Sequence, residues 1–136
     1  MVDEVRQLRL LRAVHDGIAV LQREAVADAE RRADPMWLRG VKYTFVTAIE
    51  GCVDAGQHVC AAKGGGPPRD NGQVMSVLAE HGVLEPGLAR RMRQVVGFRN
   101  VLVHDYVDVD DDVVLARLLD LSDLDNFVTM LSQLAT

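Results

Sequence analysis

The chain has 136 residues, and its 15 basic and 20 acidic side chains give a formal net charge of −5. Hydrophobic residues make up 49% of the sequence and charged residues 26%, proportions that exclude an intrinsically disordered or collagen-like chain. The length predicts a single domain over residues 1–136. The acidic balance argues against a protein that coats nucleic acid over a broad surface, because such binding requires clustered positive charge.

The first predicted element is a long amphipathic helix. Apolar side chains recur at steps of three and four between Leu11 and Ala25, which forms one stripe with charged residues on either side. We expect this helix to end at Arg31 and Arg32, because cations are favoured at the negative pole of a helix.

The second predicted helix runs from about Met36 to Ala62. Asp34 can cap its start, and Pro35 suits the first helical position. Its apolar residues occupy more than one side, so we expect it to be central and to pack against two neighbours. The glycines and prolines of residues 64–68 then end the helix and form a loop.

Three further helices are predicted in the second half of the chain. A short one spans residues 72–80, the next begins at Pro86 and runs toward Arg99 and Asn100, and a last one follows the acidic residues 108–112. Residues 101–109 alternate in polarity, so a strand competes with helix there. The result is an all-α bundle of about five helices.

The cysteines and histidines give no sign of a cofactor. Cys52 and Cys60 lie eight residues apart in one predicted helix, about 12 Å along its axis, which is too far for a disulfide. This favours a reducing cytoplasm. His15, His58 and His81 lack metal-ligand spacing, and no C-x-x-C pair is present, so no metal is expected. No signal peptide and no apolar run of membrane-spanning length are found, so no membrane association is expected.

The segment 97–106 contains the side chains that could take part in a reaction. Arg99, His104 and Tyr106 lie among apolar residues near the predicted end of a helix. An arginine binds phosphate oxygens through its planar fork, and a histidine transfers protons near neutral pH. Together these groups suit cleavage of RNA by its own 2′-hydroxyl, with Asn100 as an orienting polar residue.

Spacing alone leaves this interpretation open. On a regular helix His104 is rotated about 140° from Arg99, so the two groups converge only if the helix bends or ends near Val103, or if a second chain completes the site. The alternative is a structural arginine beside a partly buried histidine. In that case substitution of either residue matters only through stability.

A second cluster lies one to two turns upstream, where Arg90, Arg91 and Arg93 add positive charge to the same helix. The functional interpretation is an electropositive approach for RNA, and the alternative is a solvated helix face. Because Arg91 is eight residues before Arg99, we expect it to lie close to the same face, with the other two arginines rotated away.

The pattern Arg99-Asn100-x-x-x-His104-x-Tyr106 resembles the signature of HEPN-domain toxins of the HepT type. The context is similar as well: residues 83–86 before the helix, residues 96–98 directly ahead of the arginine, the glycine- and proline-rich loop, and the acidic segment before a closing helix. The resemblance extends over nearly the whole chain, and its most specific part is residues 96–106.

The resemblance implies a HEPN-type helical bundle that forms a homodimer, with two copies of the motif facing one cleft. It implies a metal-independent ribonuclease toxin of a toxin–antitoxin module, with Arg99, Asn100 and His104 at the catalytic site. It also implies that a minimal nucleotidyltransferase silences the toxin by transferring AMP to Tyr106. The competing hypothesis is a non-catalytic helical partner of such a nucleotidyltransferase, which the acidic net charge mildly favours.

Overall fold

The computed structural model describes residues 3–64, 66–104 and 108–134, which form seven helices and no strand. The all-α prediction is confirmed, and the expected five helices become seven because two of them are interrupted. The helices are α1 (Glu4–Ala25), α2 (Ala29–Ala33), α3 (Pro35–Ala62), α4 (Asn71–Glu80), α5 (Pro86–His104), α6 (Asp111–Leu119) and α7 (Ser122–Leu134).

Aspartate caps explain where most of these helices begin. Five helices start after an aspartate whose carboxylate accepts a backbone N–H of the first turn, namely Asp3, Asp28, Asp34, Asp70 and Asp110. Such a cap satisfies a donor that has no partner inside the helix, and its negative charge suits the positive pole of the helix dipole. The predicted start of α3 at Asp34 and Pro35 is confirmed.

The expected extent of the first helix was wrong. Helix α1 ends at Ala25, and Arg31 and Arg32 belong to the separate helix α2. Asp28 interrupts the first helix because its carboxylate accepts the N–H of Arg31 at 2.9 Å, which starts a new helix instead of continuing the old one.

The last predicted helix is likewise two helices. Asp120 has an extended backbone, and its carboxylate accepts both the N–H and the hydroxyl of Ser122, at 3.1 and 2.6 Å. Apolar periodicity continues across this break, which explains why the sequence predicted one helix. The strand alternative is wrong for residues 101–104, which belong to α5, and residues 105–107 lie outside the described part of the chain.

Helix α3 is the centre of the bundle, as its two apolar stripes predicted. It packs against α1, α2, α4, α5 and α7. Phe45, Ile49 and Cys52 are buried along it, and the ring of Phe45 meets that of Phe98 on α5 edge to face. This packing fixes α5 against the central helix. Cys52 and Cys60 are free thiols inside this core.

Two glycines of α3 provide a matched test of this packing. A Cβ on Gly56 would lie 2.7 Å from Cγ1 of Val74 and 3.2 Å from Cδ1 of Leu78, whereas a Cβ on Gly40 would meet no atom within 4 Å. We expect Gly56→Ala to lower the free energy of unfolding by about 1 kcal/mol or more, because overpacking outweighs the gain in helix propensity. Gly40→Ala should raise it by about 1 kcal/mol. Equal responses in urea unfolding would contradict the packing described.

A buried carboxylate joins the first three helices. Arg31 donates to Glu24 through Nε at 2.5 Å and Nη2 at 2.8 Å, and Nε1 of Trp37 donates to the same carboxylate at 2.9 Å. The hydrogen bonds from Arg31 hold the pKa of Glu24 at about 2, below its ordinary value of 4.5, although burial opposes them. Arg32 adds a cation–π contact over the ring of Trp37.

This carboxylate should make stability depend on acid pH. The folded pKa of Glu24 lies below the unfolded value, so its contribution is complete above about pH 4.5 and is lost as the pH falls toward 2. We expect Glu24→Gln to cost about 2 kcal/mol at pH 7, and this cost should shrink below pH 4.5. Urea unfolding of the wild type and the variant at pH 7 and at pH 3 gives the cost at each pH. Asp16→Asn, at an exposed position, is the control. A cost that is the same at both pH values would refute the assignment.

Two further observations concern the described residues only. No helix among them combines the length and the apolar character that a membrane span requires. No group of three histidine, cysteine or acidic side chains in this part of the chain is arranged to hold a metal ion.

Candidate functional site

An open depression of about 470 Å³ lies between the start of α4 and the C-terminal half of α5. Arg99, Asn100 and His104 all line it, so the structure brings together the three predicted catalytic residues. The other lining residues are Asp70, Asn71, Gly72, Arg93, Val96 and Gly97. The depression therefore combines two guanidinium groups and an imidazole with one carboxylate at its α4 end.

Arg99 is held in place by hydrogen bonds from both ends of its fork. Nη2 donates to Oε1 of Glu50 on α3 at 2.6 Å, and Nη1 donates to Oδ1 of Asn100 at 3.0 Å. The Arg99 side chain is only 18% exposed, whereas that of Glu50 is 44% exposed. Nε of Arg99 is buried and meets no hydrogen-bond partner in the described part of the chain. Each Nη atom carries a second N–H besides the one given to Glu50 or Asn100, and Arg99 lines the depression, so a guanidinium fixed in this way is suited to binding a phosphate oxygen.

Glu50 was missed in the sequence analysis. It is a carboxylate on the central, largely apolar helix, flanked by Ile49 and Gly51. Its position gave no specific signal, because the same helix carries other charged residues such as Lys42 and Asp54, and a half-exposed carboxylate needs no buried partner. The sequence also could not give the identity of its partner, because that residue lies 49 residues further along the chain.

His104 is the last residue of α5 and is exposed. Although five positions separate the two residues, the side chains of Arg99 and His104 line the same depression. Tyr106, the predicted site of AMP transfer, lies outside the described residues.

The upstream arginines are arranged differently from the expectation. Arg93 lines the depression, and its Nη1 donates to the hydroxyl of Ser76 at 3.0 Å. Arg91 instead donates through Nε to Asp123 on α7 at 2.9 Å, a hydrogen bond that raises its pKa. Arg90 does not line the depression. The prediction that Arg91 shares the Arg99 face was therefore wrong, because α7 packs on the side of α5 that Arg91 occupies.

Comparison with known proteins covers almost the whole chain. A family model described as "Ribonuclease HepT-like" matches residues 6–131. A "Putative RNase" of Archaeoglobus fulgidus is 34% identical over 89 residues, which are 65% of this chain and 67% of that protein. The "mRNA nuclease HepT" of Shewanella oneidensis is 29% identical over 66 residues, 48% of this chain and 50% of that protein.

Solved structures share the fold. The tri-AMPylated Shewanella oneidensis HEPN toxin, solved in complex with MNT antitoxin, superposes with a TM-score of 0.86 at 21% identity. The superposition covers 98% of this chain and 99% of that one. A toxin–antitoxin solved with AMP-PNP gives a TM-score of 0.84 at 20% identity over 96% of this chain and 99% of that chain. The described helices thus have the arrangement of HEPN toxins.

Proposed function

The chain belongs to the ribonuclease HepT-like family, and from this premise we propose that it is a ribonuclease toxin of a toxin–antitoxin module. It cleaves RNA in the depression lined by Arg99, Asn100 and His104. The observation that carries the proposal is the shared position of a fixed arginine and an exposed histidine in one open depression. The test is cleavage of RNA by the purified chain in the presence of a chelator, with His104→Ala for comparison.

Each of these residues has a different part in the reaction. The 2′-hydroxyl oxygen attacks the adjacent phosphorus and the bond to the 5′-oxygen breaks, which leaves a 2′,3′-cyclic phosphate and a free 5′-hydroxyl. His104 takes the proton of the attacking hydroxyl, and the leaving 5′-oxygen receives a proton from the imidazolium so formed or from water. Arg99 stabilises the charge that develops on the phosphorane oxygens, and Asn100 holds the guanidinium at 3.0 Å.

We propose that this cleavage needs no metal ion. The guanidinium of Arg99 supplies the positive charge, and the imidazole of His104 moves the proton. These are the two roles that a metal ion and its bound water fill in other nucleases. We place the reaction in the cytoplasm, where free thiols such as Cys52 and Cys60 persist.

We propose further that two copies of the chain form the working enzyme, with both motifs facing one cleft. In such a dimer an Arg99 of one copy can serve a His104 of the other. We expect a mixture of the inactive variants Arg99→Ala and His104→Ala to recover about a quarter to a half of the wild-type rate after subunit exchange. Failure to recover activity in mixed dimers verified by mass would show that each chain carries a complete site.

A minimal nucleotidyltransferase is the proposed antitoxin, by analogy with the MNT antitoxin bound to the Shewanella neighbour. We propose that it transfers AMP to Tyr106, two residues beyond His104 in sequence. The added nucleotide would place bulk and a negative charge next to the catalytic residues, which would exclude RNA and repel its backbone.

One observation favours a second candidate function, a non-catalytic partner of the nucleotidyltransferase. Glu50 already neutralises Arg99 in this structure, so the guanidinium could serve packing alone. The two functions differ in the cell. A toxin should inhibit growth when it is expressed without its antitoxin, and His104→Ala should relieve the inhibition. A binding partner should be expressed freely in either form.

A further inference from the structure

The depression extends beyond the proposed reaction residues to the first turn of α4. Asp70, Asn71 and Gly72 line this end, and Arg93 faces them from α5. Because a helix rises about 1.5 Å per residue, Arg93 is displaced from Arg99 by about 9 Å along the axis of α5. This end of the depression therefore lies beside the neighbouring nucleotide when the scissile phosphate is held at Arg99.

Gly72 leaves a gap between two charged groups. A Cβ at this position would lie 3.3 Å from Oδ1 of Asp70 and 3.8 Å from Nε of Arg93. A carboxylate and a guanidinium thus both lie next to the space above Gly72. Helix propensity disfavours glycine in the first turn relative to alanine, and no unusual backbone angle requires it at this position. Its effect in the structure is to keep this space open.

The charges indicate what kind of group can enter. The carboxylate of Asp70 accepts the N–H of Gln73 at 2.8 Å, so the chain itself caps the N-terminus of α4. A phosphate would be repelled by this carboxylate. An uncharged base with donors for Asp70 and an acceptor for Arg93 suits both of these groups. Arg93 is steadied for such a contact by its hydrogen bond to Ser76.

We propose that Asp70 and Arg93 form a subsite that reads an unpaired guanine next to the scissile phosphate. This inference rests on the proposed function. Guanine is the base whose Watson–Crick edge presents two adjacent donors, N1–H and N2–H, to one carboxylate, with the acceptor O6 beside them for a guanidinium. Base edges of this kind are read mainly in single-stranded RNA, where they are free of pairing.

The test measures binding, so that it does not depend on cleavage. Labelled eight-nucleotide uridine RNAs that carry a single guanine or a single adenine are titrated with the non-cleaving His104→Ala chain, and fluorescence anisotropy gives Kd. We expect the guanine RNA to bind about tenfold more tightly, because a bidentate base contact discriminates by that order. Asp70→Asn, which keeps the helix cap, should reduce the ratio to near one. The matched control Glu80→Gln removes a charge at the other end of α4 and should preserve it.

Equal affinity for the guanine and adenine RNAs would overturn the subsite. An equal loss of the preference for guanine in the Asp70→Asn and Glu80→Gln chains would overturn it as well. If the His104→Ala chain prefers guanine but the wild-type chain cleaves no RNA, the proposed nuclease fails and the subsite stands. If the wild-type chain cleaves RNA with no base preference near the cut, the nuclease stands and the subsite fails.

Discussion

Replacement of His104 by alanine should slow RNA cleavage by about 10²–10⁴-fold, the usual contribution of a positioned acid–base group. His104 is the last described residue of α5, and its exposed side chain makes no hydrogen bond to another described residue, so the variant should fold as the wild type does. The measurement is the single-turnover rate on a labelled RNA at saturating protein, with circular dichroism and thermal unfolding on the same samples.

The matched control for this variant is His81→Ala. His81 is also an exposed histidine at the end of a helix, but it does not line the depression. Its replacement should leave the cleavage rate within about threefold, since exposed substitutions away from a site have small effects. If both histidine variants cleave at the wild-type rate, the assignment of His104 is wrong. If both lose activity equally, the effect does not belong to this depression.

Replacement of Arg99 by alanine should reduce the cleavage rate by about 10²–10³-fold, because a preorganised donor to the developing negative charge is lost. Arg99→Lys should recover only a small part of that loss. A lysine keeps the positive charge, but it lacks the planar fork with which Arg99 contacts both Glu50 and Asn100.

The arginine variants need a control for charge, because removal of any cation can weaken RNA binding. Arg39 is an exposed arginine on α3 that does not line the depression. Arg39→Ala should change the cleavage rate by less than about threefold. A lysine at position 99 that restores the full rate would show that only net charge matters, which contradicts the role given to the guanidinium fork.

Much of the fold was accessible from the sequence because its signals are local. The apolar stripes predicted the central position of α3, and Asp34 with Pro35 predicted its start. The two interrupted helices were not predicted, because the apolar spacing runs on through each break. The breaks depend on side-chain hydrogen bonds of Asp28 and Asp120, which compete with the helix at single positions.

The site was only partly accessible, for a different reason. Arg99 and His104 are close in sequence, so a motif could identify them. The other groups come from elsewhere in the chain: Glu50 on α3 accepts a hydrogen bond from Arg99, and Asp70, the N-cap of α4, lines the depression. Helical spacing also predicted that Arg91 lies close to the Arg99 face, whereas its ion pair with Asp123 on α7 depends on tertiary packing.

The proposed function requires that this chain cleaves RNA with Arg99 and His104. The most direct measurement is a ribonuclease assay on total RNA and tRNA in excess chelator, with wild type and His104→Ala side by side. An intact-mass spectrum of each sample shows whether AMP has been added, and any modified protein is excluded from the comparison. We expect cleavage by the unmodified wild type and cleavage at least about 10²-fold slower by the variant. Intact RNA after incubation with unmodified, dimeric wild type would contradict it.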